Sequence, residues 1–229
     1  HPTPRLISFT GSTEVGRHIG ELAGKNLKKT ALELGGNNAF IVLDDADIVQ
    51  AVESALFGKF YHQGQICMSV NRILIHQDIY DDFAEKFIKM AKKLKYGNPA
   101  DQDTNVGPLI NRSQVDRILK DIESSVELGA KVRLGGQADG NTLQPTVLTD
   151  AKNTMPIAEN EIFGPVAVLI PFRDDEEAIA MANAYPYGLS GAVHSSNIER
   201  GTLLAHNIHT GMIHVNDQSV NDEAHMPFG

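Results

Sequence analysis

The sequence has few of the residues that cross-link a protein or anchor it in a membrane. It contains one cysteine and no tryptophan among 229 residues. A single cysteine excludes a disulfide framework and a metal site built from several thiolates. No apolar run approaches the roughly 18 residues that a membrane-spanning helix needs, and no basic-then-apolar signal segment opens the chain. We therefore expect a cytoplasmic protein with no membrane partner.

Positive charge is also scarce. Lysine and arginine total 20 against 29 aspartate and glutamate, which gives a formal charge of −9. A general nucleic-acid binder would show a basic face, so we expect no nucleic-acid partner. The length suits one large domain or one and a half typical ones, with a sizeable core. The sequence starts at His1 and stops at Gly229 directly after Phe228, which we interpret as a piece of a longer protein.

Short apolar runs alternate with helical patterns along the whole chain. Ala39–Leu43 is a continuous β-type run, which is typical of a strand covered on both faces. A helix is predicted over Thr13–Ala23 with Gly24 past its end, and Asp78 is predicted to cap another. This alternation of strand and helix predicts an α/β fold with a mostly parallel, twisted sheet flanked by helices.

The segment Gly11–Gly16 is typical of a phosphate-binding turn, because a strand runs through small residues into a helix start. Backbone N–H groups at such a start favour anions. Arg17 and His18 follow instead of Lys and Ser/Thr, so this is not a Walker A loop, and the Rossmann G-x-G-x-x-G fingerprint is missing from the 20 glycines. By itself the segment is either a capped helix or a phosphate site.

Two residues stand out as candidates for chemistry. Cys67 lies beside Gly64 and just after a predicted helix, where a ligand could approach; the alternative is a small buried hydrophobe, the usual fate of a lone cysteine. Glu33 lies between Leu32 and Leu34 in an apolar strand pattern. If that position is desolvated, the pKa of its carboxyl rises and it becomes a usable general base. The alternative is the polar side of an alternating strand.

Other catalytic classes find little support. His206 and His209 have i, i+3 spacing and His214 follows, but the H-E-x-x-H pattern of a zinc site is missing and no cysteine lies near. We therefore predict no metal site. The G-x-S-x-G motif is also missing, so a hydrolase with a nucleophile elbow lacks its central residue.

Several separated motifs, in order along the chain, resemble those of one family, the NAD(P)-dependent aldehyde dehydrogenases. They are similar to its coenzyme turn, its general-base signature, its nucleophile signature, its E-x-F-G-P element and its late segments. In this sequence they are Phe9–Gly16, Leu32–Ala39, Phe60–Cys67, Glu161–Pro165, Asn216 and Pro227–Gly229. The run from Gly64 to His76 is most similar to aryl-aldehyde members such as benzaldehyde and vanillin dehydrogenases.

The resemblance implies an oxidoreductase that converts an aromatic aldehyde to the acid with NAD or NADP, NAD being favoured. Cys67 would attack the aldehyde and carry a thiohemiacetal and then a thioester, and its backbone N–H would stabilise the oxyanion. Glu33 would activate the hydrolytic water. The implied cofactor contacts are Gly11 and Ser12 at the pyrophosphate, Leu34 and Gly35 near the nicotinamide, Glu161 at its ribose and Phe163 beside the ring.

The resemblance also implies a domain organisation. Residues 1–35 would be the last strand–helix–strand unit of a Rossmann-like cofactor-binding domain, and residues 36–229 the catalytic domain. The second oxyanion donor, an asparagine, and the adenosine half of the cofactor site lie upstream of His1 in the family. We therefore expect this piece alone to be inactive and its parent to be a homo-oligomer, either a dimer or a tetramer.

Two alternatives remain beside this interpretation. In the branch of the family that makes acyl-CoA, a thiol takes the acyl group and the base glutamate is lacking, whereas Glu33 is present here. A non-catalytic protein could also be built on the same fold, since fold does not fix function. The presence of Cys67, Glu33 and Glu161 together argues against that reading.

Overall fold

The computed structural model describes residues 1–228, which hold eleven strands and seven α-helices. The strands are β1 (Leu6–Thr10), β2 (Lys29–Glu33), β3 (Asn38–Val42), β4 (Val70–His76), β5 (Lys131–Leu134), β6 (Ala138–Asp139), β7 (Thr142–Leu143), β8 (Thr146–Thr149), β9 (Val166–Phe172), β10 (Ala192–His194) and β11 (His214–Val215). The helices are α1 (Thr13–Lys25), α2 (Ile48–Phe60), α3 (Tyr80–Ala91), α4 (Arg112–Glu127), α5 (Pro156–Glu159), α6 (Asp175–Ala182) and α7 (Ile198–Ala205).

Seven strands form the main sheet in the order β11-β10-β3-β4-β9-β8-β5. Every neighbouring pair in it is parallel except β5–β8, which is antiparallel. β1 and β2 pair in parallel as a separate two-stranded sheet, with α1 as their connection. The expected α/β fold with a mostly parallel sheet is therefore confirmed.

The main sheet is covered on both faces, which explains its continuous apolar strands. All five residues of β3 are buried. Phe40 and Val42 pack in one apolar cluster with residues of α2 and α3, whereas Ile41 and Leu43 pack in a second cluster with residues of α4, α6 and α7. Successive side chains of a strand point to opposite faces, so a strand between two helical layers must be apolar at every position.

Two predicted helix boundaries are wrong. α1 continues through Gly24 to Lys25, because Asn26 supplies the stop: its Nδ2 donates to the carbonyl of Leu22 at 2.8 Å. Asp78 does not cap α3. It lies inside a 3-10 turn, Gln77–Ile79, and its own N–H donates to the imidazole of His76.

The length and hydropathy of the helices show whether any of them could span a membrane. Within residues 1–228, the structure contains no helix that is both long enough and apolar enough to cross a bilayer.

Candidate active site

A cavity of about 780 Å³ opens where the small sheet meets the main one. It falls within the roughly 300–1,000 Å³ range of small-molecule sites. The cavity brings together most of the residues that the sequence singled out as catalytic or cofactor-binding. Of these, Gly11, Ser12, Leu34, Gly35, Cys67, Glu161 and Phe163 line it.

The fold explains why such distant residues meet. Leu34 and Gly35 precede β3, Cys67 precedes β4, and Glu161 precedes β9. These three strands are neighbours in the parallel sheet, so the segments that lead into them lie side by side at one edge. Gly11 and Ser12 reach the same place from the carboxyl end of β1.

Cys67 lies on a loop between α2 and β4 whose backbone is held in an uncommon shape. His62, Gln63 and Gly64 all have positive φ, at 49°, 58° and 70°. Two hydrogen bonds join the two ends of the loop. The buried Lys59 Nζ donates to the carbonyl of Val70 at 2.8 Å, and the Ser69 hydroxyl donates to the carbonyl of Gly58 at 3.0 Å. These bonds hold in place the loop that carries Cys67.

The Cys67 thiol is free and half-buried. Burial raises its pKa above the ordinary value, and the backbone N–H groups of Met68 and Cys67 oppose that rise. The negative charges of Glu161 and Glu33 raise it slightly further. The thiolate is the competent nucleophile, so the site as it stands favours the resting thiol, and the two N–H groups are the features that stabilise the anion.

Glu161 is held at the cavity wall from several directions. Its Oε1 accepts from the N–H of Gly36 at 3.1 Å, and Arg117 donates to its main-chain carbonyl at 3.1 Å. Burial raises the pKa of the Glu161 carboxyl, while the Gly36 N–H and the positive charges of Arg117 and Lys59 act in the opposite direction. A Cβ added at Gly35 would lie 2.2 Å from Glu161 Oε2, so a side chain there would force the Glu161 carboxylate to move.

The amino end of α1 forms another wall. Ser12 is its N-cap, with Oγ accepting from Val15 N at 3.4 Å, and the N–H of Gly11 donates to the carbonyl of Glu33 at 3.0 Å. Gly16 lies so close to Leu34 that an added Cβ would come within 2.2 Å of its side chain. The start of α1 therefore packs against the segment that leads into β3 and lies at the wall of the cavity.

Glu33 differs from the sequence-based expectation. It is the last residue of β2, its side chain is exposed, and it does not belong to the cavity lining, although its neighbour Leu34 does. The predicted desolvation is therefore wrong, since β2 belongs to a small sheet of mostly exposed residues. Its charge nevertheless acts on the Cys67 thiol, so the two groups are near each other.

The sequence reasoning missed three polar residues of the lining, Asn111, Gln114 and Arg117. Asn111 is the N-cap of α4, and the other two lie on that helix, which the sequence described only by its apolar stripe. Arg117 also donates to the carbonyl of Ile162 at 2.6 Å, so it fixes the segment that carries Glu161. The i, i+3 spacing of Gln114 and Arg117 on the polar face is what any solvated helix shows, so nothing in the pattern distinguished them.

The whole chain is similar to known proteins. A model of the "Aldehyde dehydrogenase family" matches residues 1–229. A benzaldehyde dehydrogenase of Bacillus subtilis is 55% identical over all of this chain and 47% of its own length, and the benzaldehyde dehydrogenase [NAD(+)] of Pseudomonas putida is 48% identical over 98% of the chain and 46% of its length. A vanillin dehydrogenase of Corynebacterium glutamicum is 47% identical, with 48% of its length covered.

Solved structures agree. A salicylaldehyde dehydrogenase from Pseudomonas putida G7, complexed with salicylaldehyde, matches with a TM-score of 0.96 at 41% identity, over 98% of this chain and 47% of that one. A betaine aldehyde dehydrogenase from Staphylococcus aureus, in complex with NAD+, matches with a TM-score of 0.96 at 38% identity, over 100% and 47%. The chain thus spans about half the length of the relatives it matches.

Proposed function

The chain belongs to the aldehyde dehydrogenase family, and we propose that the protein carrying it oxidises an aromatic aldehyde to the carboxylic acid with NAD or NADP. The proposal rests on one cavity. Its lining includes the free, half-buried thiol of Cys67, the carboxylate of Glu161 and the residues at the start of α1. The aromatic substrate class is supported by the relatives, whose names specify benzaldehyde, vanillin and salicylaldehyde.

The residues of the cavity fit a dinucleotide. A pyrophosphate placed beside Gly11 and Ser12 would lie at the amino end of α1, where the backbone N–H groups of a helix start favour anions. Glu161 offers a carboxylate to ribose hydroxyls, and Phe163 offers an apolar face to a ring. Glycine at position 35 lets the Glu161 carboxylate keep this position, because a Cβ there would lie 2.2 Å from Glu161 Oε2. When bound, NAD or NADP supplies the hydride acceptor; we favour NAD, which two of the relatives name.

The chemistry of this chain's own residues follows from their roles. The Cys67 thiolate attacks the aldehyde carbon, and the carbonyl π electrons move to oxygen. The backbone N–H of Cys67 stabilises that oxyanion until the carbonyl re-forms as the hydride leaves carbon, which gives a thioester on Cys67. Glu33 then takes a proton from a water molecule while the oxygen of that water attacks the thioester carbon. The carbon–sulfur bond breaks, which releases the acid and returns the Cys67 thiolate.

The test uses the full-length protein that contains this chain. We expect benzaldehyde and vanillin to give NADH faster than an aliphatic aldehyde. Cys67→Ala should abolish turnover, and Glu33→Gln should still release about one equivalent of NADH per site before stalling, because only deacylation loses its base. Glu85→Gln, a change at an exposed glutamate of α3, is the control. Normal turnover by Cys67→Ala would overturn the covalent mechanism.

Further proposals extend this function. We place the division between a cofactor-binding remnant and the catalytic domain at residues 35/36. We expect the full-length protein to be a cytoplasmic homo-oligomer, a dimer or a tetramer. We expect the 229-residue chain alone to make no NADH from benzaldehyde. Formation of acyl-CoA when coenzyme A is added, with loss of acid product, would favour the acylating branch over hydrolysis.

A further inference from the structure

Asn38, which the proposed mechanism does not use, is tied to the nucleophile loop. It is the first residue of β3 and only 3% exposed. Its Nδ2 donates to the main-chain carbonyls of Cys67 at 2.7 Å and Ser69 at 2.8 Å, and its Oδ1 accepts from the N–H of Ser190 at 3.1 Å. All three contacts are to main chain, so the amide is fixed by backbone on two sides.

The carbonyl of Cys67 shares a peptide unit with the N–H of Met68. A peptide unit is planar and almost always trans, so its C=O and N–H point in opposite directions and turn together. The N–H of Met68 is one of the two groups that stabilise the Cys67 thiolate. Holding the carbonyl therefore also holds the N–H on the side where the sulfur lies.

We infer that Asn38 is a positioning residue for the Cys67 nucleophile, acting through the peptide unit between Cys67 and Met68. The inference rests on the proposed function only in naming Cys67 the nucleophile. The glycine before the two asparagines supports it, because a Cβ at Gly36 would lie 2.5 Å from the carbonyl oxygen of Cys67 and 2.9 Å from Asn38 Oδ1. The carbonyl of Cys67 is thus contacted by the Asn38 amide and lies close to the backbone of Gly36.

The charged groups that act on the sulfur are Glu161, from the segment before β9, and Glu33, at the end of β2. Asn38 hydrogen-bonds to neither carboxylate, so a change at Asn38 alters how the N–H of Met68 stabilises the thiolate and leaves the two charges in place.

Asn71 provides a matched control. It is also 3% exposed and also makes three hydrogen bonds through its amide, to Asn37 Oδ1, the carbonyl of Asn160 and the N–H of Ile162.

The experiment measures the rate at which iodoacetamide alkylates Cys67 across pH in the full-length protein, read by mass spectrometry of the peptide that carries Cys67. Asn38→Ala should move the midpoint of this profile upward by about half a pH unit or more, which makes alkylation about threefold slower near neutral pH. Asn71→Ala should leave the midpoint in place. An unmoved profile in Asn38→Ala, or an equal shift in Asn71→Ala, would overturn the inference.

If Asn38→Ala does not fold, the pair Asn38→Leu and Asn71→Leu replaces it. Leucine is close to asparagine in shape and adds no charge near Cys67, but it cannot donate to the carbonyl of Cys67. A folded Asn38→Leu protein whose profile matches that of Asn71→Leu would overturn the inference equally. NADH formation plays no part in this readout, so turnover by Cys67→Ala would refute the proposed function and leave this result standing.

Discussion

Lys59 buries its ammonium group among few groups that would stabilise the positive charge. It is 1% exposed, and its Nζ donates to the carbonyl of Val70. Burial lowers the pKa of Lys59 to about 7, against the opposing charge of Glu161. Because the pKa is near 10.4 in an unfolded chain, the unfolded state binds more protons between these two values. Stability attributable to Lys59 should therefore rise with pH across that window, and below about pH 7 the burial penalty is complete.

We expect Lys59→Met to remove this pH dependence. Relative to the variant, the wild-type free energy of unfolding should increase by about 1.4 kcal/mol per pH unit between about pH 7 and 9. Urea unfolding at several pH values measures the difference. Lys89→Met, a change at an exposed lysine of α3, should show no such slope, and a flat difference for Lys59→Met would refute the assignment.

Gly64 shows how tightly the nucleophile loop is packed. Its φ is +70°, and an added Cβ would lie 2.4 Å from the carbonyl oxygen of Gly164. Gly140 has a similar φ of +55° but nothing within 4 Å. Gly140→Ala should therefore lower the free energy of unfolding by about 1–2 kcal/mol, because the backbone is left-handed there. Gly64→Ala should lower it by about 2–5 kcal/mol, because the new Cβ also overlaps the carbonyl of Gly164. Denaturant midpoints of the two variants test this, and equal losses would contradict it.

The residues of the site differ in how well the sequence could predict them. Cys67 and Glu161 belong to motifs, and the structure places both in the cavity. The exposure of Glu33 could not be predicted, because an alternating pattern gives the two faces of a strand but not whether either face is covered. Asn38 lies inside the motif Leu32–Ala39, but the motif gave it no role, because its contact with the nucleophile loop forms only in the folded chain.

At the scale of elements, two aspartates that look alike in the sequence behave differently. Asp47 caps α2, and its Oδ1 accepts from the N–H groups of Val49 and Gln50 at 3.0 and 3.2 Å. Asp78 precedes a similar helical pattern, yet it lies inside a 3-10 turn and its own N–H donates to the imidazole of His76. A sequence pattern finds the start of a helix, but a competing side chain two residues earlier decides which group serves as cap.

Alanine substitutions should separate the two aspartates. We expect Asp47→Ala to lower the free energy of unfolding by about 1 kcal/mol, because α2 loses its cap. Asp78→Ala should change it by less than about 0.5 kcal/mol, since the carboxylate is 71% exposed and lies 3.7 Å from His76 Nδ1. Chemical denaturation of both variants measures this, and a larger loss for Asp78→Ala would show that the cap assignment is reversed.

At the scale of the whole molecule, alternation of strand and helix was enough to predict a mostly parallel sheet. It could not predict the strand order or the antiparallel β5, because neighbours in a sheet are chosen by packing between distant segments. Nor could it predict that β1 and β2 stand apart from the main sheet. Among residues 1–228, the two apolar clusters draw on β3 and later parts of the chain, and they include nothing from β1, α1 or β2.

That division predicts two levels of local stability. β1 alternates exposed and half-buried residues, and β2 is exposed at every position except Leu32, so opening this unit exposes little apolar surface. Opening β3, β4 or β9 requires both clusters to separate. We therefore expect the amides of β1 and β2 in the 229-residue chain to exchange with deuterium about tenfold faster or more than those of β3, β4 and β9.

Hydrogen–deuterium exchange with mass spectrometry resolves the two sets of peptides. A step in protection between Glu33 and Asn38 would support the proposed boundary at residues 35/36, because a cooperative unit would end there. Equal protection on both sides would mean that contacts across the boundary, such as the packing of Gly35 against the Glu161 carboxylate, couple the two sheets into one unit. The cavity walls would then open only with global unfolding, and the division into two domains would be wrong for this chain.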